Sequence, residues 1–146
     1  MAERIAPTVK SPRVFTNIHV TDIVHYRLPP SGWASILHRI SGAVLFLLLP
    51  LTVWLFDTSV SSEVSYERFH SAFVAGIGPF AGWFVKLVTL GLIWGYLTHF
   101  FVGLRHLYMD MTHAVSKEQG KTTALAAIVL SLVLTVLLGA KLFGIY

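Results

Sequence analysis

The 146-residue chain is 55% hydrophobic and 12% charged, has no cysteine, and carries a formal net charge of +4. Soluble domains carry about 25% charged residues, so much of this surface must face lipid. The missing thiols exclude disulfides, thiolate metal sites, iron–sulfur ligation and cysteine nucleophiles, and the positive charge forms no dense basic block of the kind that tracks nucleic acid.

Residues 1–32 read as an irregular cytoplasmic arm. It holds Arg4, Lys10, Arg13 and Arg27 but no apolar core or small-residue cleavage site, so no secretory signal is expected. Residues 33–146 read as an all-α, three-helix membrane domain, with helices over about 33–57, 80–110 and 122–145. Each exceeds the roughly 20 residues that cross about 30 Å of hydrocarbon, and only helices satisfy backbone groups there within one segment. Pro29 and Pro30 end any earlier helix, Ser31 can cap the next, and Pro50 is expected to kink it. The loop that follows predicts a short helix around Tyr66 to Ala75. "MTHAVSKEQGK" is short enough to make the last two helices neighbours.

Lys and Arg concentrate in the arm and in the second loop (Lys117, Lys121), against Arg68 in the first loop and Lys141 near the C-terminus. That asymmetry predicts a cytoplasmic N-terminus. The start of the first helix and the end of the second then share one membrane face, where the polar residues are.

In "SILHRISG", Ser35, His38, Arg39 and Gly42 are spaced i, i+3, i+4, i+7, the spacing of one helix face. A buried Arg here calls for an anion or strong acceptor such as a carboxylate, a quinone carbonyl or a haem propionate; the alternative is snorkelling to lipid phosphate. The second helix carries a stripe of Gly91, Gly95, His99 and Gly103. Such a stripe serves either close helix–helix packing or a groove for a flat macrocycle with an imidazole aimed into it. His106 lies within about 20° of His99 but about 10 Å further along the axis, so the two cannot ligate one iron. His38 lies near the cytoplasmic end, whereas His99, eleven residues before Asp110, is about 16 Å deeper. A bis-histidine haem therefore needs its second ligand from another subunit. Asp110 can orient His106 or pair with Arg105 or Lys117 at the surface. The third helix carries packing residues and no assigned chemistry.

"SILHRISG" and "HFFVGLRHLYMD" (residues 99–110) resemble S-x-x-H-R-x-[ST]-G and H-x-x-x-G-x-R-H-x-x-x-D of the succinate dehydrogenase cytochrome b556 subunits, membrane anchors of complex II. The resemblance covers about residues 27–146; in the arm, "RVFTNIHVTDIVHY" departs from the family's usual continuation. It implies a haem b shared with a second membrane subunit, and a quinone, ubiquinone, as substrate. It also implies an iron–sulfur subunit and a flavoprotein as partners, and a bacterial cytoplasmic membrane rather than a mitochondrial one. By position His99 matches the axial haem ligand, Ser35 and Arg39 the quinone pocket, and His38, Arg39 and His106 groups near the haem propionates or edge, with Gly95 and Gly103 in the haem groove. The chain alone is not expected to oxidise succinate. Two other readings stand beside this one: a fumarate reductase anchor, and a haem-free structural membrane subunit.

Overall fold

The computed structural model describes residues 21, 25–113 and 116–146; most of the arm reading, including Arg4, Lys10 and Arg13, lies outside them. Helix α1 runs Pro30–Leu47, with Pro30 in the first turn, where its missing N–H is no loss. It stops at Leu48, and α2, Leu49–Val60, leaves at 59°. Pro50 is the cause: it cannot donate to the carbonyl four residues back, and its ring crowds that carbonyl. At the break Leu48 N still donates back to Val44 O at 3.0 Å, and Leu48 O opens α2 by accepting from Thr52 N at 2.9 Å and from Thr52 Oγ1 at 3.0 Å. The kink expected at Pro50 is thus a full break, and the first span is two helices rather than one over 33–57.

Helix α3, Glu63–Val74, begins on a reciprocal cap: Ser65 N donates to Ser62 Oγ at 3.1 Å and Ser62 N to Ser65 Oγ at 2.8 Å. It starts earlier than the short helix expected around Tyr66. A two-residue hairpin follows, β1 Gly76–Ile77 against β2 Phe80–Ala81 in antiparallel register. Gly76 sits at φ +110°, and a Cβ there would collide with the Phe80 carbonyl, so the turn requires glycine.

Helix α4, Gly82–Thr112, is 31 residues long, about 46 Å. It ends at His113 in the left-handed region (φ 53°). Helix α5, Lys117–Leu142, starts on Ser116, whose hydroxyl accepts from Gln119 N at 3.2 Å. α4 and α5 are each long and apolar enough to cross a membrane, and α1 and α2 taken together are long and apolar enough for a third, broken span.

α4 is the centre of the bundle, packed on both α1 and α5. α5 turns its small residues inward: Gly120, Ala124, Ala127, Ser131, Thr135 and Gly139 are all buried. These small residues leave room for α4 side chains such as Leu90, which a Cβ at Gly139 would crowd, and let the helices pack closely, a source of association where lipid is as apolar as leucine. A buried hydrophobic cluster joins Ala34, Val102, Ala124 and Ala127, flanked by Phe101 and Ile128. Tyr96, Phe100, Leu104 and Leu107 of α4 and Leu125, Val129, Leu132 and Val136 of α5 are exposed. These are the surfaces left to lipid or to a further subunit.

Candidate functional site

The residues of α1 that meet α4 are Ala34, His38, Ser41, Gly42 and Leu45. Ala34 and Ser41 are fully buried, while Gly42 and Leu45 lie against His99 and Gly95. From α4, His99 reaches across to this face. Its Nδ1 lies 3.1 Å from the His38 carbonyl oxygen and 3.5 Å from Ser41 Oγ. The His38 and His99 rings stack at 4.1 Å with planes 7° apart, and His106 meets His38 edge-on at 5.3 Å. Three imidazoles from two helices thus form one cluster.

This arrangement corrects the depth argument. His38 is not about 16 Å shallower than His99; the two rings are in contact. The end of α4 projects beyond the start of α1, so counting residues from each helix end does not give a common depth. Stacked face to face, the pair still cannot grip one iron, because axial ligands must point nitrogens, not ring faces, at the metal.

His99 makes no hydrogen bond through Nε2 with the described residues. No buried side-chain nitrogen or oxygen lacks a partner among the described residues, so Nε2 opens to the surface of the helix layer. One nitrogen is held and the other is available, the donor arrangement that an axial haem ligand needs.

The glycine stripe divides. Gly95 is buried, with a Cβ there meeting Leu45 at 3.8 Å and Ser41 O at 3.9 Å, and a Cβ at Gly103 would lie 3.6 Å from His38 Nε2. Both positions admit α1 and its histidine, which is the close-packing use of such a stripe. A Cβ at Gly91 would meet nothing within 4 Å.

Ser35 is half-buried and Arg39 is exposed, one turn apart on α1, and neither makes a side-chain hydrogen bond or ion pair with the described residues. They lie at the same end of the bundle as the histidines. Arg105 does not. It is 7% exposed and turns the other way, donating from Nε to Thr123 Oγ1 at 3.1 Å and from Nη2 to Gly120 O at 3.2 Å. Its guanidinium therefore fastens α4 to α5 and stands apart from the Asp110 and His106 rim. Ser41 was passed over in the sequence, although a small polar residue seven positions after Ala34 marks the same helix face. The partnership of Arg105 with Thr123 and Gly120 had no sequence signal.

The succinate dehydrogenase/fumarate reductase transmembrane subunit family matches residues 19–138, which hold every residue of the cluster. The chain belongs to this family. It is similar to the succinate dehydrogenase cytochrome b556 subunit of Coxiella burnetii, 35% identical over 118 residues, which is 81% of this chain and 90% of the relative. The subunit of the same name from Paracoccus denitrificans is 31% identical over 112 residues, 77% of this chain and 81% of its own. That of Rickettsia felis is 26% identical over 113 residues, 77% and 82% respectively. As a member of the succinate dehydrogenase/fumarate reductase transmembrane subunit family, the chain is a helical membrane anchor of an oxidoreductase complex.

Proposed function

We propose that this anchor serves a succinate:quinone oxidoreductase and ligates the iron of a haem b through His99 Nε2. In this reading a second membrane subunit would supply the other haem ligand, and Ser35 and Arg39 would line the quinone site. The observation that carries the reading is the state of His99, with Nδ1 tied to a backbone carbonyl at 3.1 Å and Nε2 unbonded and accessible. The stacking of His38 on His99 supports a ligand from outside the chain, because the neighbouring imidazole is turned the wrong way to share the iron. His38 stands against His99, and His106 stands against His38; neither makes a ring-nitrogen hydrogen bond with the described residues, positions that suit haem propionates or the haem edge.

Bound there, the haem supplies a one-electron store next to the quinone. The chain's own residues do the rest. Arg39 offers guanidinium N–H donors and Ser35 a hydroxyl from one helix face, a pair that can hold a quinone carbonyl oxygen. As two electrons arrive, negative charge grows on that oxygen, and a prepositioned cation lowers the energy of that change. The two protons that complete the quinol come from water at this end of the bundle. An iron–sulfur subunit fed by a flavoprotein is the electron source that such an anchor requires, and ubiquinone is the acceptor the resemblance suggests. The bacterial relatives support a multi-pass location in a bacterial cytoplasmic membrane.

The test is a reduced-minus-oxidised optical spectrum of the purified complex. A b-type haem signal is expected in the native complex and its loss in His99→Ala. A haem retained in His99→Ala with an unchanged spectrum overturns the ligand assignment.

A further inference from the structure

His99 does not hold itself. The His38 carbonyl has only lone pairs to offer, so the 3.1 Å contact is satisfied when Nδ1 of His99 carries the proton. Ser41, fully buried, donates its own hydroxyl proton to that same carbonyl at 2.9 Å. The Ser41 oxygen facing Nδ1 at 3.5 Å is therefore also an acceptor. Both neighbours demand the same tautomer, with the lone pair on Nε2. The third element is Gly42, where a Cβ would stand 3.0 Å from His99 Cε1 and 3.3 Å from Nδ1. A hydrogen in that place lets the ring edge rest against the α1 backbone. His38 closes one ring face by stacking.

From this geometry we infer that Ser41 and Gly42 are positioning residues for the haem ligand, forming on α1 a seat that sets the tautomer and plane of an imidazole carried by α4. The inference rests on the reading of His99 as an iron ligand. Neither residue touches the iron. Ser41 pins the acceptor carbonyl and stops the ring laterally, and Gly42 sets how deeply it lies. The ligand is thus competent only when α1 and α4 are docked. Outer partners of metal-bound histidines are worth about 10- to 100-fold in affinity when removed, and that range sets the expectation here.

The experiment uses the purified complex carrying Ser41→Ala, Gly42→Ala or Gly91→Ala, with haem content, the rate of haem loss to an excess of apomyoglobin, and the electron paramagnetic resonance spectrum of the oxidised haem as readouts. The largest g-value of a low-spin bis-imidazole haem follows the angle between the two ring planes, which a merely structural residue would leave in place. Gly42→Ala is expected to shift that line and to speed haem loss about 10-fold or more, and Ser41→Ala to do so to a lesser degree. Gly91→Ala, at an open position, should match the native complex. Should Gly42→Ala fail to assemble, Ser41→Ala decides, since it removes one oxygen and adds no atoms. Native g-values and native haem retention in Ser41→Ala, and in Gly42→Ala where it assembles, overturn the seat while leaving His99 as ligand. A native spectrum in His99→Ala removes the ligand reading and the seat together.

Discussion

Replacing Arg105 with methionine removes the one guanidinium that joins α4 to α5 and keeps most of the side-chain volume. Two charge-assisted bonds go, to Thr123 Oγ1 at 3.1 Å and to Gly120 O at 3.2 Å. Hydrogen bonds to charged groups contribute about 1.5–3 kcal/mol each in water, whereas interhelical bonds in membranes average about 0.6 kcal/mol. The partners are not stranded: Thr123 Oγ1 still donates to Gln119 O at 2.8 Å, and a helix carbonyl retains its helix bond. Removing the charge also relieves the cost of burying it. The net loss should be about 1–3 kcal/mol, or roughly 5- to 150-fold in an equilibrium constant. Unfolding of the purified complex in graded denaturing detergent measures it, and a double-mutant cycle with Thr123→Val isolates the pair. Arg105→Lys should fall between, because one ammonium cannot reproduce a two-point fork. A coupling energy below about 0.3 kcal/mol with unchanged stability in Arg105→Met, where contacting residues should couple by at least about 0.5 kcal/mol, would show that the fastening is not energetic.

Arg39→Ala should abolish quinone reduction while succinate still reduces a soluble dye; normal quinone turnover in that variant takes Arg39 out of the reaction. Gly76→Ala forces a side chain onto a backbone carbonyl at φ +110° and should cost at least about 1–3 kcal/mol. It should be read as faster proteolysis between α3 and α4, and unaltered cleavage would refute the strain. Ser62→Ala removes one half of the α3 cap at a cost of about 0.5–2 kcal/mol, visible as a lower melting temperature of the purified complex, while an unchanged melting temperature would mean that the cap contributes nothing.

Much of this was legible because hydrocarbon allows few solutions. A run such as "TALAAIVLSLVLTVLLGAKLF" admits only a helix, and Pro50 in the first span marked a deformation even if not its size. The motif positions were legible too, since His38 and His99 stood out as ionisable groups in apolar surroundings. Their mutual distance was not. Periodicity fixes angles around one helix, whereas depth needs an origin shared between helices, and the overshoot of α4 past α1 supplies none. For the same reason Arg105 read as a neighbour of the His106 rim: adjacent residues on a helix differ by about 100°, enough to send one side chain to α1 and the next to α5. Ser41 was overshadowed by Arg39: its spacing from Ala34 marks the face, but its role needs its acceptor to be known.

The 59° break after Leu48 also divides the first span mechanically. A continuous rod would carry any tilt of its far end straight to the residues opposite His99. With the rod cut, the segment 30–47 packs mainly on α4 and α5, and the stretch from Leu49 to Ala81 forms a separate cover at the other end. Grafting that stretch from a distant relative should leave the histidine cluster in register. Ligand geometry and the architecture of the opposite end are free to diverge independently.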